Sequence, residues 1–283
     1  MTVKIVTDST ADLPEDIIRE MDITVVPLSV HFGPQTYLDG VDLKADEFYE
    51  MLAGCRSLPT TSQPAPAAFA EVYQKLGNET CDILSIHISP KLSGTYNSAL
   101  LAREGLNGNC RIEIIDSLQA SMGLGLIVIR AARAVQNGAT LDEAIEVVRE
   151  TIPHTHFFGT VDTLEYLQKG GRIGKAQALM GTLLSIKPLI GMGEGEVQPK
   201  GKTRTRKKAI AQLLEYVHGF DNIEEIALLH STTPDDLAPF VDGIGDCCEP
   251  GRIRRSRIGP VIGTYLGPGA LAIGVVEGNH RPA

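Results

Sequence analysis

Ser93, Gly94 and Thr95 lie within HISPKLSGTYNSALLA, residues 87–102. A β-rich run, DILSIHIS, ends in this polar loop, and an amphipathic helix is expected directly after it. Hydroxyls and a glycine at a helix start suit an anion. Glycine lets a backbone approach closely, and the free N–H groups of a first helical turn attract negative charge. Two further strand-like runs, KIVT and RIEII, end in Asp8-Ser9-Thr10 and Asp116-Ser117. Ligands of open parallel sheets sit outside the carboxyl ends of the strands. At Ser9-Thr10 and Asp116-Ser117 the side chains read slightly better as helix caps; at Ser93–Thr95 ligand binding is favoured. The loop LPTTSQPAP offers Thr60, Thr61, Ser62 and Gln63 before a helix opened by prolines, and caps and ligand groups are equally good readings. GPVIGTYLGPGA either presents Tyr265 to a pocket or is a plain turn before the last strand.

The catalytic templates fail. No G-x-S-x-G elbow surrounds Ser93, so a lipase-type nucleophile is unsupported. GEVQPKGKT approaches a phosphate-binding loop, but its glycine spacing is wrong, and GMGEG lacks the full dinucleotide pattern. His154 and His156 could share one face of a strand, but no cysteine or acidic cluster lies nearby in sequence, so no metal is expected. Lys169, Arg172 and Lys175 surround KGGRIG, and KGKTRTRKKA concentrates Lys200, Lys202, Arg204, Arg206, Lys207 and Lys208. Such runs are usually solvated faces, but on an acidic chain they can steer an acidic partner.

These groups need elements to position them. KIVTD reads as a buried strand, with Asp12 and Glu15 around the start of a helix, DLPEDIIRE. ITVVPLSVHF is a second β-rich run. In PAPAAFAEVYQKLG, Phe69, Val72, Tyr73 and Leu76 repeat at helical spacing, and Thr140 with Glu143 forms a capping box before AIEVVRE. The alternation of strand and helix argues for an α/β fold whose first domain, residues 1–152, has a mainly parallel sheet flanked by helices. A second α/β domain is expected over 153–283. There HTHFFGTV, EEIALLHS and ALAIGVVE read as strands and RIRRSR as an exposed strand face. LEYLQKGGRIGKAQALMGTLLSIKPLI reads as two short helices around a glycine turn, its apolar part either a core helix or the wall of an elongated cavity.

Bulk properties set the class. At 283 residues and 43% hydrophobic the chain can bury a sizeable core, and no run of about 18 uncharged apolar residues offers a membrane span. The first residues, MTVKIVTDST, lack the apolar region of a signal peptide, so the expected location is the cytoplasm. A net charge of −9 argues against a general nucleic-acid binder. Five cysteines without a C-x-x-C pair are expected to be reduced thiols.

VTDSTADLP, LPTTSQPAP, LSGTYNSA, IIDS, LEYLQKGGRIG, GTLLSIKP, KGKTRTRKKA and GPVIGTYLGPGA occur in this order along essentially the whole chain. In this they resemble the DegV family. The resemblance implies a bacterial fatty-acid-binding protein of two α/β domains, with an acyl tunnel and the carboxylate near the domain interface. It implies no cofactor, no metal and no catalysis by the chain alone. A separate ATP-dependent fatty acid kinase subunit would phosphorylate the bound carboxylate to acyl phosphate for phospholipid synthesis, with at most transient membrane contact. By motif, Thr61 and Ser93 are the implied carboxylate-binding hydroxyls, Gly94 lends its N–H, and Ser62, Thr95, Tyr265 and Arg172 complete the fatty-acid site. Arg204 and Arg206 are implied in docking the kinase. One departure stands out: kinase-linked members usually carry a histidine in the last motif, and Tyr265 occupies that place. A phenol donates a hydrogen bond but does not ionise near neutrality. Two rival readings are a lipid-sensing regulator and an enzyme acting on a small anionic metabolite.

Overall fold

Isoleucine, valine and leucine run almost unbroken through the first strands, the pattern of strands covered on both faces. The computed structural model describes residues 3–106, 110–181 and 186–278. In chain order the first half forms β1 (Lys4–Asp8), α1 (Glu15–Glu20), β2 (Ile23–Val26), β3 (Ser29–Phe32), β4 (Gln35–Leu38), α2 (Ala45–Gly54), β5 (Thr60–Ser62), α3 (Pro66–Gly77), β6 (Asp82–His87), α4 (Thr95–Glu104), β7 (Arg111–Asp116), α5 (Met122–Gln136) and α6 (Leu141–Thr151). The second half forms β8 (Thr155–Thr160), α7 (Glu165–Lys169), β9 (Lys187–Gly193), β10 (Glu196–Thr203), α8 (Arg206–His218), β11 (Ile223–His230), α9 (Leu237–Ile244), β12 (Ile253–Arg257), α10 (Pro260–Leu266) and β13 (Leu271–Glu277).

The first sheet is parallel throughout, in the order β2-β1-β6-β7. Its strand order reverses between β1 and β6, which is where such folds hold ligands. A six-stranded sheet, β10-β9-β8-β13-β11-β12, takes the second half, and there only β11 and β12 run parallel. Helix α5 packs against β1 and β6 of one sheet and β8, β11 and β13 of the other. Its sequence, MGLGLIVIRAARAVQ, is apolar nearly all round, and Met122 to Ile129 are all buried. A helix without a polar face must be covered on every side. The largest buried cluster accordingly takes Ile5 and Leu84 from the first sheet and Ile190 and Ala272 from the second.

Several local readings hold. Phe69, Tyr73 and Leu76 are the buried face of α3, and Thr140 with Glu143 completes both halves of the capping box on α6. RIRRSR supplies the edge strand β12, and the five cysteines are free thiols. Others change. ITVVPLSVHF breaks at Pro27, which lacks the N–H a continuous ladder needs. Its halves join different sheets: β3 pairs with β4 and β5 in a small antiparallel sheet. Thr60–Ser62 is therefore a strand rather than a set of caps. His154 ends a turn of 3-10 helix with its Nδ1 at 2.8 Å from the Glu150 carbonyl, while His156 lies on β8, so they share no strand face. No metal-binding group of side chains occurs among the described residues. Residues 182–185 of the apolar run lie outside the described residues; after them 187–190 form strand β9, not a helix. GPVIGTY is helix α10, opened by Pro260, and the turn comes only after Leu266.

Beneath the sheet ends a fully buried polar chain runs through the first half. Asp8 Oδ2 is 2.9 Å from His87 Nδ1, His87 Nε2 is 2.7 Å from Ser85 Oγ, and Ser85 Oγ is 2.8 Å from the Tyr73 hydroxyl. Every group is satisfied if His87 donates to Asp8 and accepts from Ser85, which in turn accepts from Tyr73. Asp8 also accepts from the N–H of Thr10, so the Ser9-Thr10 turn is capped as its sequence suggested. Asp116 and Ser117 likewise close their own loop, onto the Leu118 N–H and the His87 carbonyl.

Candidate functional site

A cavity of about 390 Å³ lies between the carboxyl ends of β1, β6 and β7 and the inner face of the second sheet. That volume falls in the range of small-molecule pockets. Thr10, Ser93 and Ser121 border it from the three loops of the parallel sheet. Ile190 comes from β9, Ala272 from β13, and Ile262 and Tyr265 from α10. Its wall is mostly apolar, and among the described residues that line it Arg172 alone is charged.

The polar side chains divide into two groups. Those along the interior are committed to the protein. Thr10 bonds to Asp8, Ser121 Oγ donates to Asp12 Oδ2 at 2.5 Å, and Thr160 Oγ1 donates to the Pro188 carbonyl at 2.9 Å. A hydroxyl so engaged asks little of a ligand, so the interior behaves as an apolar surface. The second group forms a linked ring. Thr61 Oγ1 lies 2.5 Å from the Tyr265 hydroxyl. The Arg172 guanidinium stands over the Tyr265 ring, 5.2 Å from its centroid, and donates to the Leu92 carbonyl at 3.1 Å and the Gly170 carbonyl at 2.7 Å. Ser93 follows Leu92, and its Oγ is 2.8 Å from Thr95 Oγ1. Two of the five guanidinium N–H donors go to these carbonyls, and the positive charge stays beside Ser93 and Thr61.

Local sequence explains the ring. Residues alternate across a strand, so Thr61 on β5 faces inward opposite buried Val30, while Ser62 faces the other way. Ser62 borders the cavity, but its hydroxyl is 2.9 Å from His31 Nε2, and His31 Nδ1 is 2.9 Å from Thr36 Oγ1. Gly94 is the N-cap of α4 without any side-chain cap. The Gln63 amide lies where a β-carbon at 94 would stand, so a side chain there would displace Gln63. Thr95 is fully buried and stands behind Ser93. Gly170 is pressed in the same way against the Tyr265 ring.

Thr61, Ser93, Arg172 and Tyr265 are thus brought together from four separate motifs. Gly94 and Thr95 support Ser93 from behind, and Ser62 lies at the rim. Arg204 and Arg206 lie elsewhere. Arg204 is exposed, whereas Arg206 is held inward by Asp236, at 2.6 Å, and by the Gly269 carbonyl. Sequence reading missed Ser121 and the β8 and β13 wall, whereas Gln63 and the β9 stretch of the apolar run line the cavity as one of their two readings had it. Ser121 has φ 52° and ψ −146°, a conformation costing a non-glycine residue about 1–3 kcal/mol, and its residue type gives no sign of it.

Helix α10, which carries Tyr265, starts against two buried acids. Asp12 is not the cap of α1. It bonds Ser121 and the Gly259 N–H, and burial pushes its carboxyl well above the usual range. Asp39 accepts from Ser9 and from the Val261 N–H, and burial pushes it up to about 7. A carboxyl raised in the folded state binds its proton more tightly there than in the unfolded chain. Its contribution to stability is complete below the ordinary value near 3.8 and is lost as pH rises through about 7. Asp39→Asn should flatten this decline and gain up to about 4 kcal/mol at pH 8, read by denaturant unfolding at pH 4, 6 and 8. An unchanged pH dependence would contradict the assignment.

Known proteins can now be compared with this geometry. The chain matches the model of a family described as "Uncharacterised protein, DegV family" over residues 2–278. A DegV domain-containing protein of Caldanaerobacter subterraneus subsp. tengcongensis is 38% identical over 274 residues, covering 96% of this chain and 97% of its own. A solved structure described as fatty acid binding of a DegV family protein from Thermus thermophilus is 34% identical, with a TM-score of 0.90 over 98% of this chain and all of its own. Another, of DegV, a fatty acid binding protein from Bacillus subtilis, is 32% identical, with a TM-score of 0.86 over 98% of this chain and all of its own. On sequence and on fold alike, this chain belongs to the DegV family.

Proposed function

We propose that this chain binds one long-chain fatty acid, its tail in the apolar cavity and its carboxylate at the ring of Thr61, Ser93, Arg172 and Tyr265. The observation that carries the reading is the division of the cavity: committed hydroxyls and apolar side chains inside, one cation and the hydroxyls of Thr61, Tyr265 and Ser93 together. A small polar metabolite would leave most of that apolar wall unsatisfied, which weighs against the metabolite-enzyme reading. On the proposal, residues 1–152 contribute the loops that meet the carboxylate and 153–283 the wall and Arg172. The chain is a carrier in the cytoplasm and not itself an enzyme. The DegV resemblance supports the further step that a separate ATP-dependent kinase phosphorylates the presented carboxylate for phospholipid synthesis, docking through the basic face that includes exposed Arg204.

Energetics rank the parts. A buried methylene contributes about 0.8 kcal/mol, so a sixteen-carbon tail supplies on the order of 12 kcal/mol before association costs. A helix start adds about 0.3–1 kcal/mol to a carboxylate, and a hydrogen bond to a charged group about 1.5–3 kcal/mol. Ser93→Ala should therefore weaken palmitate binding about tenfold and leave lipid bound, as read by titration with palmitate. Complete loss of binding in a folded variant would overturn this ranking. Addition of the organism's kinase and ATP should yield acyl phosphate from the wild-type complex and much less from the variant.

A further inference from the structure

The start of α10 rests on carboxylates from the first half of the chain. Asp12, 7% exposed, takes the Gly259 N–H at 2.9 Å and Ser121 Oγ at 2.5 Å. Asp39, 4% exposed, takes the Val261 N–H and the Ser9 hydroxyl, and its Oδ2 has no partner. Both converge on Gly259: a β-carbon there would stand 2.8 Å from Asp12 Oδ1 and 3.6 Å from Asp39 Oδ1. Asp8 of β1 lies within the electrostatic reach of both. Glu15, His230 and Arg255 border a cavity shared with both carboxylates, and four further charged or titratable groups face the cluster. Lys44, at the start of α2, is held by Glu15 and the Gly40 carbonyl. Tyr49 of α2 donates to the Ile258 carbonyl at 3.2 Å. Arg257 of β12 is paired with Asp46 at 2.6 Å, and His87 is bonded to Asp8. Among the described residues neither Asp12 nor Asp39 forms an ion pair. From this seat α10 carries Ile262 and Tyr265 into the cavity wall, and it ends at Gly267, whose φ of 72° suits a pivot.

We infer that Asp12 and Asp39 are positioning residues for the fatty-acid site: they seat α10, and their ionisation loosens the seat and Tyr265 with it. This rests on the fatty-acid reading of the cavity. In the closed seat a charge on Asp39 is buried, repelled by Asp8 and Asp12, and without a cation in contact; an opened seat would expose it to solvent. The closed seat therefore holds the proton more tightly. Linkage then makes rising pH favour the open seat and weaker ligand binding. With Asp39 near 7 when closed and at its ordinary value when open, affinity falls by up to about tenfold between pH 6 and pH 8.

The test measures palmitate affinity by displacement of a dansyl-labelled fatty acid at pH 6, 7 and 8. In parallel, hydrogen exchange of the Gly263 and Gly267 amides is followed in the ligand-free protein, corrected for intrinsic rates. In the wild type, affinity and α10 protection should fall together as pH rises. In Asp39→Asn both should stay at their pH 6 values. Ser9→Ala removes a donor to the carboxylate and should move the midpoint to higher pH, a shift that damage to the fold would not produce. Equal pH slopes in the wild type and Asp39→Asn would overturn the inference. Protection that responds to pH in a protein taking up no fatty acid at any pH would overturn the fatty-acid reading instead.

Discussion

Ala272→Phe blocks fatty-acid uptake while the protein stays folded. Ala272 lies on β13, between β8 and β11, and its side chain helps to line the cavity. A phenyl ring there occupies space that the proposed tail would fill. Denying a seat to three or four methylenes removes about 3 kcal/mol, on the order of a hundredfold in affinity. Added strain from overpacking is about 1–3 kcal/mol. The check is palmitate titration alongside thermal unfolding. The account expects at least a hundredfold loss of affinity, against about tenfold for Ser93→Ala. A variant that binds palmitate as the wild type does would show that the tail lies elsewhere.

The second large effect is on stability. His87→Leu should cost about 3–5 kcal/mol, because two buried groups, the Asp8 carboxylate and the Ser85 hydroxyl, each lose a hydrogen-bond partner. Asp8, Ser85 and His87 are all fully buried, so water cannot replace the lost bonds, while Tyr73 keeps Ser85 as its acceptor. In a chain of this size that is a fall of about 5–8 °C in Tm. Asp8→Leu with His87→Leu also strands the buried Thr10 and Ile88 N–H groups that Asp8 accepts from, and should be more destabilising than His87→Leu alone. Denaturant midpoints of the two variants decide this, and a double variant as stable as the single one would contradict it.

Much of this was legible in residues that act locally. The capping box at Thr140 and Glu143 and the spacing of Phe69, Tyr73 and Leu76 depend only on near neighbours, and both appear where they were expected. The hydroxyl loops after KIVT, DILSIHI and RIEII were readable because strand ends carry their own signals, although of the hydroxyls singled out there only Thr10 and Ser93 reach the cavity, joined by Ser121. The chemistry of the ring was not. Tyr265 meets Thr61 across 204 positions of chain, a contact that no periodicity encodes. GPVIGTYLGPGA looks like a turn because glycine and proline dominate it, yet burial against Phe48 and Tyr49 makes its first part helical. Asp12 resembles a helix cap because it precedes Leu-Pro-Glu, and only the return of the chain at Gly259 shows what its carboxylate holds.

The most direct measurement is also the simplest. The protein is purified from bacteria without added lipid and denatured, and the released small molecules are identified by mass spectrometry. The account predicts a long-chain fatty acid close to one per chain. A protein that comes out empty, and that takes up no palmitate when it is offered, would contradict the fatty-acid function.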